Sequence, residues 1–339
     1  MGILDFWRHK DAGDQLDSPH VSPALVHAAT DLVVKIASPR VALVRDYRER
    51  LAPAVETAIV YLRSMLDLLP PPRDATAANW VNDPYVHAFF ATHEDVARTF
   101  SRSREVRAFF EQEPWQGEAF GVLAMAFEER KVLGVEMRGD AVRSDVPQTI
   151  VSFSEHAVDA VGATEADLRR ELGRRTFEEF GLQALRRIGE AKAEQRALED
   201  EVVVLKARLR LMQARATSLG LAAPADAGEA ARMEARLDEN ERELGVLTAS
   251  ALEHELACLV DVLRLPQRTV AVTTRSLRLN ALNVVDDGDG PALKSEIVFP
   301  VAEIAGDPPR IRALAAMRFP RADLLPEDQG IREAERYLR

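Results

Sequence analysis

The densest group of side chains that could do chemistry is His87, His93, Glu94 and Asp95, four candidate metal ligands within nine positions. A metal needs donors that converge on one point, and a six-residue spacing puts the two histidines on different faces of a helix. Thr92 followed three residues later by Asp95 also reads as a helix start. It is a capping box with Asp in place of the usual Glu or Gln, and acidic groups there suit the helix dipole. The sequence favours that reading over a metal site.

A second acidic group, DDGDG at 286–290, invites a calcium reading. Aligned as a twelve-residue loop from Val285, it offers Asp287, Asp289, Gly290 and Glu296 at the third, fifth, sixth and twelfth positions. The first position, where an acid is required, is Val285, and the flanks read as strands, not helices. An Asp-Gly hairpin turn accounts for the same residues more simply.

Other signals are thinner. Arg98, Arg102, Arg104 and Arg107 are spread round a helix amid Glu105 and Glu111, the pattern of a solvated face more than of a nucleic-acid site. No phosphate loop, dinucleotide fingerprint, nucleophile elbow or zinc-protease motif occurs. Nothing in the chain fixes a reaction or assigns catalytic residues, and no cofactor or metal is expected.

Composition narrows the classes. The 339 residues carry a net charge of −11 and are 47% hydrophobic, which suits a folded chain and argues against a phosphate backbone as partner. A single cysteine, Cys258, excludes an internal disulfide and a cysteine-rich zinc site, and fits a reducing cytosol. Arginine-dominated bases beside abundant alanine and valine suggest a GC-rich bacterial genome. No apolar window is long enough to span a bilayer. At the start, Ile3, Leu4, Phe6 and Trp7 with Arg8 and Lys10 could touch a membrane surface. Ten residues bury little area there, and a helix end packed on the protein itself is preferred.

The elements that must position these groups follow from punctuation and period. Residues 1–21 form an N-terminal segment and linker. A helical domain spans 22–114: Ser22-Pro23, Ser38-Pro39 and Asp83-Pro84 mark helix starts, Pro39 and Pro53 divide the first part into successive helices or kinked pieces, and PPP at 70–72 ends it. Phe89, Phe90, Phe100, Phe109 and Phe110 read as the core of that domain. After Pro114 the texture changes to strands. Two short apolar runs around EERK suggest a hairpin and TIVSFSEHAV a third strand, giving a first strand group at 115–163 with helix as the alternative for 119–127. A second group fills 265–325, and a tail at 326–339 reads as helical. The economical arrangement is one β unit built from both groups, with two separate sheets as the alternative.

Between the strand groups, 164–264 is helical. Leu198, Val202, Leu205, Leu209 and Met212 alternate three and four apart, the spacing of a coiled-coil seam. After GLAAPADAG at 220–228, Met233, Leu237, Asn240, Leu244 and Leu247 resume it. Folding back pairs Met212 with Leu237, Leu205 with Leu244, Val202 with Leu247 and Leu198 with Ala251. Gln195 then faces His254 as a polar layer that fixes register, and Cys258 lies opposite Ala191 as a small apolar residue. Over 186–215 the first arm has eight bases against five acids; over 226–255 the second has nine acids against three bases. Opposed charge favours the arms pairing with each other.

The expected fold class is therefore α+β, with a helical N-terminal domain, an antiparallel β unit and a long antiparallel coiled-coil hairpin inserted between two strand groups. Arms of this length would extend about 50 to 60 Å. Such a rod suits a non-catalytic interaction or assembly protein, a scaffold or adaptor, whose hairpin meets a protein partner or a second copy. Leu219 and Leu221 at the tip are the candidate contacts. A hairpin that packs along its own domain is the plainer alternative. The other functional class is an enzyme or ligand-binding regulator with a pocket between the helical and β parts.

Overall fold

The computed structural model describes residues 21–138, 141–218, 227–285 and 295–326. The N-terminal segment, most of the hairpin tip, the DDGDG turn and the C-terminal tail therefore lie outside the described residues. The protein is α+β, with a seven-stranded, mostly antiparallel sheet and a long helix between its third and fourth strands. No helix among the described residues is long and apolar enough to cross a membrane.

Chain contacts divide the molecule into two units. Among the described residues the sheet unit holds 21–26, 56–179 and 265–326; the hairpin unit holds 27–55 and 180–264. The helical domain drawn over 22–114 is therefore split between the two. Its first helices, α1 (Pro23–Ala37) and α2 (Tyr47–Leu66), contain the division points, and its later ones belong with the sheet. Pro53 does not end a helix; it lies inside α2.

In the sheet unit a short β1 (Arg73–Asp74) precedes four helices: α3 (Ala77–Asn82), α4 (Pro84–Phe89), α5 (His93–Arg102) and α6 (Arg104–Gln112). Each begins where a side chain can accept an orphan backbone N–H. The caps are Thr76, Asp83, Thr92 and Ser103.

Two long strands follow, β2 (Glu118–Arg138) and β3 (Ala141–Gly162). Two strands thus replace the three expected. The EERK stretch is no turn: it lies within β2, where Glu128 and Arg130 pair at 2.8 Å. From Glu128 onward β2 pairs only with β3, so both faces of that ribbon meet water and a polar run is tolerated. The remaining strands are β4 (Val270–Leu279), β5 (Val284–Val285), β6 (Ser295–Ile304) and β7 (Arg310–Pro320).

Both strand groups form one sheet. Its order is β1-β7-β2-β3-β5-β4-β6, and β6 also pairs with the start of β7, so the ring of pairings closes. Period-two alternation sends successive β2 residues to opposite faces. Leu123 and Met125 join a core with Phe89, Phe90, Phe100 and Phe110; Val122 joins Leu69, Leu168 and Ala316 on the other face. Phe89 meets Phe153 at 4.9 Å edge-on and Phe100 stacks on Phe319 at 4.8 Å. The phenylalanines read as the core of a separate helical domain are thus the helical half of the sheet's core.

The hairpin unit contains the greater part of α7 (Glu165–Ser218), α8 (Ala227–Ala249) and α9 (Ala251–Arg264). Thr164 starts α7 with the same Thr-x-x-Asp box as Thr92, accepting from the Asp167 N–H at 3.1 Å. Where α7 passes α1, a Cβ on Gly181 would lie 3.0 Å from Ile36, so a small residue permits that approach.

Candidate functional site

The hairpin is built on its seam. On α7, Val202, Leu205 and Leu209 are buried, while Leu198 and Met212 are half-buried. On α8, Ala230 and Asn240 are buried, while Met233, Leu237, Leu244 and Leu247 are half-buried. The three-and-four spacing keeps these positions on one stripe of each helix, where burial removes apolar area from water. Leu219 and Leu221, the candidate tip contacts, lie outside the described residues.

Charge bridges the two arms within one chain. Lys206 Nζ sits 2.6 Å from Glu241, and Arg236 Nε donates to Glu201 Oε1 at 2.6 Å. Arg236 first, then Asn240, holds the Glu201 carboxyl below the usual carboxylate range. The antiparallel pairing is as the charges suggested, but its register departs from the sequence reading near Glu201. Pairing Val202 with Leu247 would bring Glu201 beside Thr248, not Arg236. Heptads are interchangeable along such a seam, so apolar spacing alone cannot choose among registers.

At the base of the hairpin the seam changes phase. The helix breaks at Ser250, and beyond it Glu255, Leu256, Leu259, Val262 and Leu263 are buried. His254 is exposed and makes no bond to Gln195, so the polar layer drawn between them is absent. Gln195 instead donates to Glu199 at 3.0 Å, and His254 Nε2 lies 3.6 Å from Cys258 Sγ. Asn240 is the buried polar residue of the seam.

Glu255, 2% exposed, is the side chain that sequence reasoning missed. Ser38 Oγ donates to its Oε2 at 2.5 Å, Lys192 Nζ lies 2.8 Å from Oε1, and Arg40 stands at 3.6 Å. Ser38 therefore does not cap its own 3₁₀ turn, as its place before Pro39 suggested; its hydroxyl goes to a residue 217 positions away. Burial pushes the Glu255 carboxyl up, but Lys192, Ser38 and Arg40 together outweigh burial and hold it below the usual range. A carboxylate so held ties three segments together and is a poor proton acceptor at neutral pH. With Lys192, Gln195, Leu247 and His254 it lines a pocket of about 280 Å³. The nearby Cys258 thiol is held above its ordinary value by burial and by the charge of Asp261. It is mostly protonated at neutral pH and weakly nucleophilic. The signal available in the sequence was the run LACLVDVLRL at 256–265, too apolar for a two-in-seven seam.

Three of the candidate ligands of the sheet unit, His87, Glu94 and Asp95, have other partners. Thr92 and Asp95 bond to each other at 2.8 Å, and Asp95 also pairs with Arg98 at 2.7 Å. His87 places its ring nitrogens 3.2 Å from the Trp80 carbonyl and 3.1 Å from that of Ala281. Among the described residues no three His, Cys, Asp or Glu side chains are grouped to hold a metal. Val285 is a strand residue and Glu296 accepts from Ser276 at 2.7 Å, while Asp287, Asp289 and Gly290 lie outside the described residues. Arg107 donates to the Leu325 carbonyl at 3.0 Å, a structural use of one arginine in the basic stretch.

The sheet unit also contains a cavity of about 250 Å³. Leu62, Leu66, Val122, Leu172 and Leu314 line its apolar part, with Arg175, Arg310 and Arg312 among its charged members. Arg312 is neutralised by Glu155 at 2.7 Å, and Arg175 by Asp159, Glu105 and Glu171. Glu155 sits at φ 49° where β3 bulges against β2, and the bulge turns its side chain toward Arg312. No family model, no curated protein and no solved structure matches this chain.

Proposed function

We propose that this is a non-catalytic assembly protein, a scaffold or adaptor of the bacterial cytoplasm, that meets its partner through the hairpin. The observation that carries this reading is apolar exposure on the arms away from the seam. Val203 is 66% exposed, Leu211 55% and Val246 69%, on helices whose other faces are already satisfied. Each is apolar area on a rod that association would dry. The tip residues Leu219 and Leu221 remain part of the proposal.

Affinity capture compares the wild-type chain with Val203→Asp/Leu211→Asp and, separately, Leu219→Asp/Leu221→Asp. At least one pair should reduce association about tenfold or more while helicity and melting temperature stay unchanged. Unaltered association by both folded variants would remove the hairpin surface from the account.

The cavity in the sheet unit favours a second reading, a ligand-binding regulator. An apolar pocket bordered by charged groups suits a small amphipathic molecule. Saturable binding of a fluorescent medium-chain fatty acid, lost in Leu172→Arg, would support it. No binding at any concentration would remove it.

A further inference from the structure

Opposite the seam, α7 carries a second stripe at steps of three and four residues: Asp200, Val203, Ala207, Leu211 and Ala214, all exposed. Val204, 49% exposed, borders it. Over 199–215 the charges beside this stripe divide at Ala207, apart from Lys206, which Glu241 engages; Arg196 lies beyond the basal end of the stripe. Toward the hairpin base lie Glu199, Asp200 and Glu201; toward the tip lie Arg208, Arg210 and Arg215. Glu201 is already engaged by Arg236, but Asp200, Arg208 and Arg210 form no ion pair among the described residues.

We propose that the occupant of this face is a second copy of the chain, its α7 laid antiparallel across a two-fold axis at Ala207. This rests on the reading that the hairpin is an association device and names its partner. The stripe is self-complementary. Reversing it about Ala207 sets Val203 against Leu211 of the second copy, and Leu211 against Val203. Ala207 meets its own equivalent, and so small a residue at the axis lets two helices approach to about 8 Å. The same reversal brings the acidic half of each stripe to the basic half of the other. A parallel alignment would instead lay acid on acid and base on base, which opposes association. A contact in which each patch meets its own copy closes as a dimer and does not propagate. Two hairpins joined this way form a four-helix assembly with the α7 helices facing each other.

The test uses the purified full chain alone. Sedimentation velocity up to about 0.1 mM should show a monomer–dimer equilibrium. Val203→Asp should weaken it at least tenfold. Asp200→Arg should weaken it too, and Asp200→Arg with Arg210→Asp should restore it, because the reversed charges meet again across the axis. With Cys258→Ser as background, Ala207→Cys should form an interchain disulfide under mild oxidation, whereas Val246→Cys on the other arm should form far less. A chain that stays monomeric throughout overturns the proposal. So does a dimer that ignores Val203→Asp and crosslinks no better at 207 than at 246. Either result leaves capture of a different partner by the hairpin to the separate test above.

Discussion

The sheet unit and the hairpin unit bury apolar residues in different geometries. Around Phe89, Phe153 and Phe299 the sheet unit gathers rings from a helix and two strands, with centroids 4.9 to 6.1 Å apart. The seam of the hairpin is a line, and most of its members are only half-buried. Charge is used differently as well. In the sheet unit arginines close the fold: Arg321 donates to the Pro114 carbonyl at 2.7 Å and Arg107 to that of Leu325. On α7, Arg208 and Arg210 are left facing water. One unit uses these side chains to hold itself together, and the other leaves exposed arginines beside exposed apolar residues.

The largest effect should separate the two cores. Phe299→Ala removes a fully buried ring from the sheet unit and should cost about 3 to 5 kcal/mol. Leu205→Ala, on a two-helix seam with solvent at its flanks and room to relax, should cost about 2 kcal/mol or less. Denaturant unfolding of both variants measures the difference. Equal costs would mean that the hairpin is as deeply packed as the sheet.

Next in size is the tie at Glu255. Lys192→Met leaves a buried carboxylate short of its main cation and should cost about 2 kcal/mol. Its pH dependence has a definite sign. The folded carboxyl is held low, so its contribution is present above the ordinary carboxylate range and is lost as pH falls through the folded value. Asp74 in the sheet unit is also held low, by Arg318, but that pair is about two-fifths exposed and contributes little. On acidification the hairpin base should therefore loosen first. Cys258 should become accessible to an acid-active thiol reagent before Trp80 fluorescence changes, and Glu255→Gln should remove that step.

The smallest effect concerns the seam's buried amide. Asn240→Leu should stabilise the hairpin by about 1 kcal/mol while making its register less uniform, the usual exchange for a polar residue in a coiled-coil core. Thermal melts measure the gain, and cross-arm distances by paired spin labels measure the spread.

How much of this was legible depended on the range of the determining contact. The caps at Asp83 and Thr92 and the alternation of TIVSFSEHAV in β3 are local, and their residue types and spacing suffice. The seam was legible as a stripe because its period is fixed by the helix, but its register was not, because each heptad fits several positions. EERK misled because a two-stranded ribbon with both faces wet imposes no apolar period. The phenylalanines at 89 and 100 looked like a helical core because Phe153, Phe299 and Phe319 come so much later in the chain. Ser38 and Glu255 failed for the same reason: no local pattern announces a hydroxyl whose partner is 217 residues distant.

The central claim is that the arms pair with each other inside one chain, and zero-length carbodiimide coupling tests it most directly. Lys206 lies 2.6 Å from Glu241 with both side chains open to the reagent, so this pair should form an isopeptide bond in the native protein. In an equal mixture of isotopically light and heavy chains, mass spectrometry should find this link almost wholly within one isotope. Links shared equally between light and heavy chains would show that the arms pair between molecules, and the hairpin account would be contradicted.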